Sequence, residues 1–130
     1  MSELKHGNDL VIISTGTMVH KALMVANELN SHSVSTGLVD LYRIKPLNIE
    51  KLFNIIGNYR RIITLEENSI VGGIGSIISE VLNDYQKYTP LKRMAIPDQH
   101  CFEAGDREDL HEIYGLDIKS NVGNILNGFK

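Results

Sequence analysis

Short runs of apolar and β-branched residues alternate with amphipathic segments along the chain. The runs over residues 10–13, 61–65 and 91–96 are flanked by polar or turn-forming residues, which is typical of buried strands. Residues 34–41 repeat the pattern less strictly and predict a further strand. The spacing of these strands leaves room for a helix between each pair.

Between those runs, apolar residues recur at the three- and four-residue spacing of helices that bury one face. Thr17, Asn48 and Asp117 each precede such a segment and are predicted to cap its first turn. A shorter helix is expected over residues 106–114, ending at Gly115. The apolar stripes of the longer helices are defined by Met18, Ala22, Val25, Leu29, Ile49, Leu52, Phe53, Ile56, Ile74, Ile77, Ile78, Val81, Leu82, Ile118, Val122, Ile125, Leu126 and Phe129.

The alternation of strands and helices indicates the fold class. Strands joined through helices form right-handed crossovers, which produce a mostly parallel sheet with helices on both faces. We predict that residues 9–130 form one such α/β domain. Residues 1–8 are polar, show no helix or strand pattern and are predicted to be an N-terminal tail.

The amino-acid composition says more about the cellular compartment of the protein than about the reaction it performs. A chain of 130 residues with 42% hydrophobic residues is long enough to bury a core. The net charge of −3 gives no reason to expect nucleic acid or an anionic membrane surface. Cys101 is the only cysteine, so no internal disulfide can form, and no apolar run approaches the roughly 20 residues that span a bilayer. These features predict a cytoplasmic domain.

Ligands of parallel sheets gather at the carboxyl ends of the strands, where residues 15–17, 40–43 and 66–76 are expected to meet. The glycines of the last segment directly precede a helix, so uncovered backbone N–H groups and the helix dipole would favour an anion there. Alternatively, these glycines permit only a tight turn and close packing of the helix on the sheet. The candidate anion or partner site comprises Thr15, Gly16, Thr17, Gly72, Gly73, Gly75 and Ser76.

Charged residues of the same segments are assigned to structure or to an interface. Glu66 and Glu67 are adjacent, so on an extended segment they point to opposite sides and cannot face each other as an acid–base pair. Together with Asn68, they are expected at the sheet edge or against a partner. Asp40 and Arg43 are predicted to form a charge-assisted bond that orders the loop after their strand.

Histidines and the single cysteine give no clear catalytic or metal-binding pattern. The five histidines lack a paired metal spacing, and His111, which lies among acidic residues, is predicted to be solvated. Lys21 is likewise predicted to lie outside the buried face of its helix. Asp98, His100 and Cys101 have only a generic spacing, so a metal there is disfavoured.

Three stretches of the chain, taken in order, resemble the C-terminal domain of transketolase-type enzymes. They are residues 39–47, residues 66–76 and a set of positions between residues 96 and 117 that includes Pro97, Phe102, Gly105 and Glu108. The third stretch is most similar to split bacterial transketolases, in which the enzyme is divided over two chains. Deoxyxylulose-phosphate synthase is the second resemblance, and the β subunit of 2-oxoacid dehydrogenases is a more distant one.

The resemblance implies a three-layer α/β/α domain around a five-stranded mixed sheet, with one antiparallel strand that the pattern does not reveal. In that family, thiamine diphosphate and Mg²⁺ lie between two other domains. The cofactor motif Gly-Asp-Gly is absent here, because Arg107 follows Gly105 and Asp106. We therefore expect this chain to bind no cofactor and to supply no catalytic residue.

The implied partners are the N-terminal cofactor-binding domains or subunit of the same enzyme. The implied role is support of a homodimer, with a regulatory anion site at the glycine-rich turn as an additional candidate. The transketolase reaction of the whole enzyme is the transfer of a two-carbon ketol unit between sugar phosphates. The alternatives from other classes are a free-standing nucleotide- or anion-binding module and a pure interaction domain.

Overall fold

A computed structural model describes residues 1–96 and 111–128, and its strands and helices follow the predicted alternation, with one strand added at the N-terminus. The elements are β1 (Ser2–Lys5), β2 (Leu10–Ser14), α1 (Met18–Ser31), β3 (Thr36–Asp40), α2 (Ile49–Ile56), β4 (Arg61–Ser69), α3 (Ile74–Asp84), β5 (Leu91–Ile96) and α4 (Ile118–Asn127). The predicted α/β class is confirmed.

Within the described residues, the strands form one five-stranded mixed sheet in the order β1-β3-β2-β4-β5. Strand β2 pairs in parallel with β3 and with β4, and β4 pairs in parallel with β5. Strand β1 alone runs antiparallel, against β3. The chain moves from β2 to β3 on one side and then crosses to β4 on the other, so the direction of winding switches between β2 and β4.

The structure corrects the prediction that residues 1–8 are a tail. Ser2–Lys5 is the edge strand β1, and the Tyr59 hydroxyl binds this segment at two points. It donates to Glu3 Oε1 at 2.6 Å and accepts from the Gly7 amide at 3.1 Å. A four-residue edge strand needs no apolar run, because only one of its edges and one of its faces meet the protein. Its pairing was therefore invisible to periodicity.

Helices cover both faces of the sheet, which confirms the three-layer arrangement that the resemblance implies. Leu10 and Ile12 pack with α1 and α4, whereas Val11 and Ile13 pack with α2 and α3. All four side chains are fully buried. Because the central strands are covered on both faces, they show continuous apolar runs rather than an alternation of apolar and polar residues.

Two of the predicted helix caps are confirmed. Asn48 Oδ1 accepts from the Lys51 amide at 3.0 Å, and Asp117 Oδ2 accepts from the Ser120 amide at 3.1 Å. Thr17 makes no side-chain cap, so that prediction is wrong. The helix expected over residues 106–114 falls mostly outside the described residues, although residues 111–113 are helical.

Candidate functional site at the carboxyl edge of the sheet

Neighbouring strand ends bring the predicted segments to one edge of the sheet. Ser14 at the end of β2 lies opposite Asp40 of β3 and opposite Leu65 of β4. The loops that follow these positions therefore begin side by side. Strand β4 continues past this line to Ser69, with an irregularity in its pairing to β5, before the glycine-rich turn begins.

Glu66 fills the position at the glycine-rich turn where an external anion was expected. Its Oε1 accepts from the Ile74 amide at 3.0 Å, and its Oε2 accepts from the Gly75 amide at 2.8 Å. The side chain is only 1% exposed. A carboxylate at the first turn of α3 complements the helix dipole and forms charge-assisted hydrogen bonds. The Gly75 amide therefore already donates its hydrogen bond to Glu66. Glu66 has a structural role inside the domain rather than a place at an interface.

The glycines of the turn have identifiable packing roles. Gly72 adopts φ +79°, which favours glycine in the turn. A Cβ at Gly73 would overlap the Glu66 carboxylate, and a Cβ at Gly75 would lie 2.7 Å from Thr64 Oγ1. These contacts support the packing interpretation over the anion interpretation.

Ser76 closes the same turn through its hydroxyl. Ser76 Oγ accepts from the Gly72 amide at 3.1 Å and donates to the Ile70 carbonyl at 3.0 Å. Arg93 Nη1 lies 3.3 Å from both Ser76 Oγ and the Ile70 carbonyl oxygen. The hydroxyl that was a candidate anion ligand therefore holds the turn against β5.

Glu67 points away from Glu66, as predicted, and joins a polar cluster with Thr17, Lys21 and His111. Thr17 Oγ1 donates to Glu67 Oε1 at 2.9 Å, and His111 Nε2 lies 3.2 Å from Glu67 Oε2. Lys21 Nζ forms a hydrogen bond with His111 Nδ1. An ammonium group has only donors, so Nδ1 accepts and Nε2 carries the hydrogen that is donated to Glu67.

This cluster corrects the predictions for Lys21 and His111. Their exposed fractions are 9% and 3%, whereas both were expected to face solvent. The two residues are far apart in sequence, so local periodicity could not reveal their contact. A buried ammonium group requires hydrogen-bond partners, and His111 Nδ1 is one partner of Lys21.

A cavity of about 340 Å³ opens beside the cluster. It lies between the first half of α1, which follows β2, and Glu67 of β4, at the position where the direction of winding switches and where ligands of open α/β sheets commonly bind. Its lining residues are Thr17, Met18, His20, Lys21, Met24, Glu67, His111 and Ile118.

The expected bond between Asp40 and Arg43 does not form. No ion pair joins these two described residues, Arg43 is exposed, and Asp40 Oδ1 is buried without a hydrogen-bond partner. The loop is ordered instead by the packing of Ile44 and Leu47 on the apolar layer of α2 and α3. Of the other predicted site residues, Asn68 is exposed.

Thr15 is half-buried, and Gly16 is exposed with φ +62° and with no atom within 4 Å of the position that a Cβ would occupy. No hydrogen bond within residues 1–96 and 111–128 ties either residue to the glycine-rich turn. Only Thr17 is linked to β4, through Glu67. Residues 15–17 and the glycine-rich turn thus lie at the same edge of the sheet, but they do not form one binding site.

The described residues do not fit thiamine diphosphate with Mg²⁺. Over residues 1–96 and 111–128, no group of three or more His, Cys, Asp or Glu side chains is placed to hold a metal ion. The amides best placed for a phosphate already bind Glu66. Asp98, His100 and Cys101 lie outside the described residues. None of the described helices is both long and apolar enough to cross a membrane.

Residues 1–120 match the family model described as "Transketolase, C-terminal domain". This match covers far more than half of the chain, and the fold agrees with that of solved transketolases. The chain therefore belongs to the transketolase C-terminal domain family, which confirms the resemblance.

Individual relatives agree with this assignment. The chain is 37% identical over 127 residues to 1-deoxy-D-xylulose-5-phosphate synthase of Caldanaerobacter subterraneus, covering 98% of this chain and 20% of that enzyme. It is 31% identical to a split gene transketolase in an inactive β4 tetramer, with a TM-score of 0.85 over 97% of this chain and 41% of the other. Transketolase from Campylobacter jejuni shares the fold at 16% identity, with a TM-score of 0.66 over 95% of this chain and 17% of the other.

Proposed function

We propose that the chain is the non-catalytic C-terminal part of a thiamine-diphosphate-dependent enzyme that transfers a two-carbon ketol unit between sugar phosphates. The family match over residues 1–120 carries this proposal. The chain spans a fifth of the length of the curated relative and less than half of the split transketolase chain. The cofactor and the catalytic residues would therefore belong to the N-terminal domains or subunit, in a cytoplasmic enzyme.

The site geometry supports a structural role for this part of the enzyme. The two acidic residues at the carboxyl edge are engaged within the domain, Glu66 with the amides of α3 and Glu67 with Thr17 and His111. Glu66 thereby holds the first turn of α3, and Glu67 joins β4 to the segment before α1. The role proposed for the domain is to support a homodimer of the whole enzyme.

A 1-deoxy-D-xylulose-5-phosphate synthase is the second candidate, and the 37% identity to the Caldanaerobacter enzyme favours it. Both candidates require the same cofactor-binding domains. The β subunit of a 2-oxoacid dehydrogenase is a further, more distant alternative. A free-standing nucleotide- or anion-binding module is disfavoured, because Glu66 occupies the amides that such a ligand would need.

A chimera tests the proposal. The matching 127 residues of the Caldanaerobacter synthase are replaced by this chain, and formation of 1-deoxy-D-xylulose 5-phosphate is measured. We expect activity in the chimera and none in a synthase that ends before the exchanged segment. In parallel, calorimetric titration of the isolated chain with thiamine diphosphate and Mg²⁺ should show no binding. An inactive but folded chimera, or micromolar cofactor binding by the isolated chain, would contradict the proposal.

A further inference from the structure

We draw no further inference here: the strongest candidate, the cavity beside Glu67 and His111 where α1 begins, belongs to the site already described, and its lining combines the Lys21 ammonium group with the Glu67 carboxylate, so it does not define one class of ligand.

Discussion

Glu66 and Glu67 show how strand direction gives two identical residues different environments. Glu66 points into the layer of α3, where it is buried and accepts two backbone hydrogen bonds. Glu67 points to the layer of α1, where Thr17 and His111 donate to it. The buried carboxylate takes the place of an external anion at the start of α3. Gly73 is therefore required, because a side chain at this position would overlap the carboxylate.

Gly73→Ala should therefore destabilise the domain. The backbone at Gly73 has φ −85°, which any residue can adopt, so the penalty comes from overlap of the new methyl group with the Glu66 carboxylate. Displacing that group disturbs hydrogen bonds to a charged acceptor, which are worth about 2–3 kcal/mol. Urea unfolding should show a loss of this size in the free energy of unfolding.

Gly123→Ala is the matched control for this substitution. Gly123 lies within α4, and no atom is found within 4 Å of the position of a Cβ. Alanine there should stabilise the domain by about 0.5–1 kcal/mol through its higher helix propensity. Equal stabilities of the two alanine variants would show that Gly73 is not needed to accommodate Glu66.

At the scale of elements, Tyr59 connects the edge strand β1 to the rest of the sheet. Its ring lies over Gly37 of β3, where a Cβ would overlap the phenol oxygen. Burial and the hydrogen bond to Glu3 raise the pKa of Tyr59 to about 12. The phenol is thus held in its protonated form, which is the form that can donate to Glu3 while it accepts from Gly7.

The raised pKa of Tyr59 predicts a loss of stability in alkali. A group whose pKa is higher in the folded state stabilises fully below its unfolded pKa, about 10 for tyrosine, and this contribution disappears as pH rises towards about 12. Tyr59→Phe should lack this alkaline component and cost about 1–2 kcal/mol at neutral pH. Urea unfolding between pH 8 and pH 11, values chosen to bracket about 10, measures both effects. Tyr88→Phe should behave as the unsubstituted chain, and an unchanged pH profile in Tyr59→Phe would contradict the assignment.

Periodicity predicted the strands and helices that bury continuous apolar faces. It failed where polar contacts between distant residues determine the position of a side chain. The four parallel strands and the caps at Asn48 and Asp117 follow from local sequence, because neighbouring residues determine them. Thr17 resembles a cap, yet its hydroxyl binds Glu67, 50 residues away. Similarly, 90 residues separate Lys21 from His111. No local pattern contains such information.

For the molecule as a whole, the absence of a local pattern placed the predicted N-terminal boundary of the domain at residue 9, whereas the sheet includes residues 2–5. The first eight residues have no periodic pattern, yet they complete the sheet, and Met1 belongs to an apolar layer. Gly7 packs tightly against the backbone of Thr36 and Gly37. The folding unit therefore includes these residues, and the edge of β3 is covered rather than open.

Deletion of residues 2–8 should consequently destabilise the whole domain. The deletion uncovers the edge of β3 and removes both hydrogen-bond partners of Tyr59, Glu3 and Gly7. With buried apolar contact and about 1 kcal/mol for each lost hydrogen bond, we expect a loss of about 2–4 kcal/mol in the free energy of unfolding. Leu4→Ala is the control, because Leu4 is 54% exposed on β1 and its truncation leaves the strand pairing intact. If the deletion variant unfolds at the same urea concentration as Leu4→Ala, these residues are a tail after all.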